Sequence, residues 1–281
     1  MSLLEACQDV ANSLSLVKPN TIIGNNNDFA RQVLSHLKNV YKTAVGNFDW
    51  PQLTKAYEFD LVDGQSAYAA PADFDRIVAE TEWDVDGRTR LRGGYNTKEW
   101  AALKYGALSG GTYSGYTLHG SGNIIQIDPT PDASGNTLAF YYISNRWIRP
   151  RTWTASTSFA AGSYCFYLGN YYSTTDGGTS GATAPTHTTG TASDDSINWT
   201  YYSGAYKNPL ADTDEFVLDQ QCVVAELIAR YQRDKEGQHQ TYFAEALNSW
   251  RTEFTKLQPK RTIYAGSRGG INTAGDITIE V

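Results

Sequence analysis

Residues Ser163–His187 read SYCFYLGNYYSTTDGGTSGATAPTH. Aromatic side chains crowd its first half, and small polar residues and glycines fill the second. The aromatic alternation on either side of Gly169–Asn170 predicts a β-hairpin with a two-residue II′ turn at that dipeptide. The polar run from Asp176 to Asp195 predicts a long loop. Further on, LDQQCVVAELIARYQ (Leu218–Gln232) has the period of a long amphipathic helix. A small aromatic β unit set just ahead of long helices makes the chain α+β, and residues 150–205, rich in Ser, Thr, Gly and aromatic residues with almost no Leu, Lys or Glu, stand apart in composition.

Working outward, Leu3, Cys7, Val10, Leu14 and Val17 form one helical stripe that Pro19 should end. A second helix is predicted from Asp28, with Phe29, Val33, Leu37, Val40, Tyr41, Ala44 and Phe48 on its apolar face and Asn26 or Asn27 as its cap. Trp50–Pro51 closes it, and the two helices are expected to pair antiparallel. From Lys55 the period becomes two. Tyr57, Phe59 and Leu61 share a face, and Asp63–Gly64 reads as the turn to Ala67–Tyr68 in a β meander. Thr97–Gly106 is a short helix with Thr97 as its cap. Two strands follow, in GYTLHGSGNIIQIDPTP and NTLAFYYISNRW. Helical periodicity returns at Asp212, where Asp212 and Glu215 suggest a capping box. The last helix carries Phe243, Ala246, Leu247, Trp250, Phe254 and Leu257. The predicted organisation is a helix pair (1–53), a β-rich domain (54–149), a small β module (150–205), a second helix pair (206–258) and an extended tail (259–281). In fold class this is a helical bundle with an antiparallel β domain and a second, smaller β module.

Composition narrows the function. The 23 Lys and Arg against 30 Asp and Glu leave a net charge of −7, which lacks the basic footprint of a protein that grips nucleic acid. It does not exclude a protein that DNA passes through, since an acidic wall lets DNA slide without sticking. Cys7, Cys165 and Cys222 are widely spaced and odd in number, so neither a disulfide framework nor a zinc site is indicated. No apolar window reaches membrane-spanning length, and the N-terminus lacks a signal-peptide pattern.

Catalytic motifs are missing. His36, His119, His187 and His239 lie in four separate segments, and there is no nucleophile elbow or phosphate loop. Asp84, Asp86, Asp194 and Asp195 sit in turn-like sequence, and Asp84–Gly87 is only a fragment of a calcium loop. No enzyme activity and no cofactor are expected.

Three phrases stand in a particular order: Pro71–Arg76 (PADFDR), Lys98–Trp100 (KEW), and the run from Tyr116 to Pro131. Helices flank them on both sides. In that order the chain resembles the head-to-tail adaptor proteins of tailed phages, especially the tail tubular protein A type of short-tailed phages, over residues 1–148 and 206–270. The resemblance implies a structural virion protein, made in the host cytoplasm. It implies a homo-oligomeric ring of about twelve copies between portal protein and tail nozzle, with DNA passing through and no membrane involved. It implies further that the C-terminal segment docks into the portal, which here makes Lys260, Arg261, Tyr264, Arg268, Ile277, Ile279 and Val281 the docking candidates.

The insertion is similar to small chitin-binding modules in Trp153, in the phrase from Ala161 to Tyr172, in Thr183–His187 and in Trp199. Trp153, Tyr167, Tyr171, Tyr172 and Trp199 are therefore the candidates for contact with a glycan or a partner such as a tail fibre or the capsid. The alternative function is a tail-associated glycan binder. Against the glycan reading, a unit this small needs its aromatics for its own core.

Overall fold

A long helix late in the chain packs against the two helices that begin the chain and against the helix that follows it. The computed structural model describes residues 2–106, 115–120, 124–194, 196–202, 204–236 and 240–258. In chain order come α1 (Leu3–Ser13), α2 (Asp28–Asn47), β1 (Thr54–Asp60), β2 (Ala67–Ala69), β3 (Phe74–Ile77), β4 (Trp83–Asp84), β5 (Thr89–Arg90) and α3 (Thr97–Tyr105). Then follow β6 (Gly115–His119), β7 (Ile124–Asp128), β8 (Thr137–Ser144) and β9 (Ile148–Arg149). The insertion holds β10 (Ser158–Phe159), β11 (Tyr164–Tyr167), β12 (Asn170–Ser173), β13 (Gly178–Thr179), β14 (Thr191–Asp194) and β15 (Ile197–Tyr202). The chain returns through β16 (Glu215–Phe216) to α4 (Gln220–Glu236) and α5 (Gln240–Leu257). Every pairing between these strands is antiparallel.

The helices differ in detail from expectation. A Ser2–Glu5 capping box starts α1, which stops at Ser13 well before Pro19. Ser15 takes a left-handed φ of 55°, and Val17 is 92% exposed, outside the stripe assigned to it. Asn27 caps α2 by accepting from Phe29 N at 2.9 Å. The expected α1–α2 pair gives way to a different arrangement, in which α4 packs against α1, α2 and α5. It can do so because Cys222, Val223, Leu227 and Ala229 are all interior. Asp212 and Glu215 form no cap. The Asp212 carboxylate accepts from Ile22 N and Ile23 N at 3.0 and 2.7 Å, and Glu215 lies in β16. The start of α4 is held by Asp219, which accepts from Cys222 N. Asn96, one residue ahead of Thr97, caps α3.

The β region is built from non-local pairs. Strand β8 is central: β1 runs along one edge, and β3 and β4 share the other. Strand β2 joins the separate β2–β7–β6 sheet, so Asp63–Gly64 links two sheets and closes no meander. The run from Gly115 to Asp128 is two strands rather than one, and they form a hairpin. In the insertion, Tyr167 pairs with Asn170, which places the turn at Leu168–Gly169. Both residues have positive φ, 44° and 90°, which is the type I′ geometry that matches strand twist. The expected loop after Asp176 carries β13 and β14.

Three buried clusters result. One joins the helices to Ile143, Trp147, Ile148 and Phe216. The second lies between the two β sheets around Phe140 and Tyr142. The third is the interior of the insertion, with Phe159, Cys165, Tyr172, Ile197 and Trp199.

Candidate interaction surface

The aromatic sheet of the insertion is covered on both faces. On one face, Trp153 and Trp199 donate their indole N–H groups to Asp194 Oδ2 at 3.1 and 3.3 Å, and Gly181 N donates to Oδ1 at 3.0 Å. A buried carboxylate is tolerated where its lone pairs are satisfied in this way. Tyr172 is fully buried and donates its hydroxyl to the His187 carbonyl at 3.0 Å. Tyr167 stands edge-on to Trp153 at 5.7 Å.

The other face turns toward the body of the protein. Tyr171 lies 5.1 Å from Phe166, and the Arg149 guanidinium sits 4.7 Å above the Phe166 ring. Tyr164 packs against Tyr202 and Tyr206. Of the five aromatic candidates, Trp153, Tyr172 and Trp199 are thus interior, while Tyr167 and Tyr171 are half-buried on opposite faces of the sheet. They do not form the exposed strip that sugar stacking requires. The reason lies in the strand period, which sends neighbouring aromatics to opposite faces that are both occupied. The portal-docking candidates between Lys260 and Val281 lie outside the described residues.

Among the described residues no group of His, Cys, Asp and Glu is placed to hold a metal ion, and no helix is long and apolar enough to cross a membrane. Burial pushes the thiols of Cys7, Cys165 and Cys222 up to about 12, far from the thiolate that reactive cysteines need.

The phrase PADFDR turns out to be the joint between helices and sheet. The Asp73 carboxylate accepts from Lys55 Nζ at 2.6 Å, Tyr142 Oη at 2.8 Å and Ser144 Oγ at 2.7 Å. Phe74 enters the β core. Asp75 accepts from Tyr41 Oη on α2 at 2.8 Å. Arg76 donates through Nη2 to the Phe48 carbonyl and to Asp49, both at 2.8 Å, just past the end of α2. This joint was not legible as such in the sequence, although the clustering of Asp and Arg next to a strand was its signal. The KEW phrase has local roles: Glu99 completes the α3 capping box, and Trp100 is buried.

Beside the joint lies a groove of about 580 Å³. Its floor is Tyr41, Trp147 and Ile148, and its rim carries Lys38, Lys42 and Lys207. Lys207 Nζ sits 5.3 Å from the Tyr41 ring centre, and the Lys207 carbonyl accepts from Trp147 Nε1 at 3.0 Å. Among the described residues none of the three lysines is in an ion pair.

No curated protein matches the chain. Residues 1–165 match the family model described as the SU10 adaptor protein. The match spans α1, α2, the joint, both β sheets and the opening of the insertion, and it stops short of α4 and α5. The family is a structural class of phage proteins and not a class of enzymes. With more than half its length so matched, the chain belongs to the SU10 adaptor protein family, the phage head-to-tail adaptors.

Proposed function

We propose that this adaptor forms a ring of about twelve copies between the portal and the tail nozzle of a short-tailed phage, with DNA passing through the centre. The observation that carries this reading is the family match over the helix layer, the joint and both sheets. A net charge of −7 supports it, because an acidic channel wall does not hold the DNA backbone. In this reading residues 259–281 reach the portal. Lys260, Arg261, Tyr264 and Arg268 supply polar contacts, and the alternation of Ile277, Ile279 and Val281 suits addition of a strand to a sheet edge.

The insertion projects toward a neighbouring nozzle, fibre or capsid protein. Contact through its loops is favoured over sugar stacking, because both faces of its aromatic sheet are covered. Mass photometry of the chain alone and mixed with its cognate portal tests the main reading. A monomer alone and a multi-copy ring on the portal are expected; no association with the portal would sink it. The glycan alternative has its own check. Binding of host polysaccharide that is lost in Tyr171→Ala would restore that reading.

A further inference from the structure

Strand β8 separates two surfaces of opposite character. Trp147, on the floor of the lysine-rimmed groove, follows three residues after the Ser144 end of β8. At the Thr137 end the loops after β1, β4 and β7 converge. Asp60 pairs with Thr137, Val85 N donates to the Thr137 carbonyl, Asp63 N donates to Ser134 Oγ, and Gly64 N donates to the Pro131 carbonyl. These loops expose Asp60, Asp63, Asp86 and Asp132, with Arg88 alone as a cation among residues 60–65, 84–89 and 131–137. Between the carboxylates stand two exposed aliphatic side chains, Val62 at 46% and Val85 at 48%. Among the described residues none of the four carboxylates is in an ion pair.

We propose that copies of this chain associate head to tail, the groove rimmed by Lys38, Lys42 and Lys207 on one copy receiving the acidic Val62/Val85 end of the next. This inference rests on the ring reading and names the contact that closes the ring. Each surface offers what the other lacks. The groove has an apolar floor under three lysines, and the loop end has aliphatic knobs among four carboxylates. Lys207 also stands over the Tyr41 ring, and Asp60 and Asp86 accept from Thr137, so the charges left without an ion pair among the described residues are matched only by opposite charges on another copy. One molecule cannot satisfy itself, because an eight-residue strand holds the two surfaces roughly 20–25 Å apart. Two different surfaces meeting in this way make a heterologous contact, the type that generates a ring when the rotation closes. In a chain of net charge −7, copies otherwise repel, so a local pairing of opposite charges sets the register of approach.

Charge reversal in the full-length chain, assembled with the cognate portal and read by mass photometry, tests this. Lys38→Glu with Lys42→Glu, and separately Asp63→Lys with Asp132→Lys, should each lower the yield of multi-copy assembly by about tenfold or more at moderate salt. All four reversals in one chain should restore it. These side chains are exposed, so thermal unfolding should match wild type in every variant. A mixture of Lys42→Cys and Val62→Cys chains should cross-link with a short bismaleimide, while neither does so alone; the native thiols are buried and do not compete. If wild type assembles and either double reversal assembles equally well, or the fourfold variant fails to recover, the contact is wrong while the ring stands. If only the lysine reversal blocks assembly, the groove takes an acidic segment of another protein, which also overturns the proposal. If wild type forms no multi-copy assembly, the ring reading itself fails.

Discussion

The indole N–H of Trp250, on α5, donates to Glu226 Oε2, on α4, at 2.8 Å. The other Glu226 oxygen accepts from Arg230, whose Nη2 also donates to Thr43 Oγ1 at 2.8 Å and to the Asn39 carbonyl at 3.3 Å on α2. Glu226 is 1% exposed. One buried carboxylate therefore ties three helices together, and its charge is tolerated because Arg230 and Trp250 face it.

Removing that carboxylate strands both partners. Glu226→Ala should cost about 3–5 kcal/mol, the usual loss when one half of a buried ion pair is deleted. Urea unfolding followed by circular dichroism at the helix band checks it.

Asp194 has the same role inside the insertion. Asp194→Ala leaves the Trp153 and Trp199 indoles and Gly181 N without an acceptor, at about 1–3 kcal/mol for each buried donor. Hydrogen exchange should show residues 150–205 losing protection, with α2, α4 and α5 unchanged.

Arg149 fastens the insertion to the body. It donates to Glu215 Oε2 through Nε and Nη2 at 3.1 and 3.0 Å while its guanidinium covers Phe166. Arg149→Ala should cost about 1–2 kcal/mol locally, and Arg149→Lys should recover little because a lysine cannot form the fork. Faster proteolysis between Lys207 and Ala211 is the readout.

Acid should act through Asp73. Burial alone would raise its pKa. The hydrogen bonds from Lys55, Ser144 and Tyr142 more than offset that and hold it below the ordinary 3.8. A carboxyl depressed in the folded state binds fewer protons there than when unfolded. Its stabilisation is therefore present above about pH 4 and is lost as pH falls through the folded value. Denaturant midpoints from pH 5 downward should decline more steeply for wild type than for Asp73→Asn.

Much of the helical layer was legible. The stripes of α2 and α5 run on for whole turns, and Asn27 stands where a cap is needed. Turns were less so. Leu168, a residue that does not favour positive φ, occupies the first central position of an I′ turn, where the expected turn was II′ at Gly169–Asn170. Asp212 resembled a cap because Glu215 follows three residues later, yet its carboxylate serves backbone amides about 190 positions earlier in the chain.

Local information in the residues determined the long helices and the main strands, the aromatic character of the insertion, the absence of catalytic motifs and the ordered phrases that mark the family, though not the end of α1 or the strands β13 and β14. Those properties follow from side-chain period and from hydrogen bonds that reach only a few residues. Tertiary structure alone decided that α4 is the shared partner of the helices, that β8 is the centre of the sheet, that the aromatics of the insertion are consumed by two interfaces, and that PADFDR is a joint. Each depends on contacts between residues far apart in the chain. An aromatic, an aspartate or an arginine has the same local signature whether its partner is solvent, a core or another element.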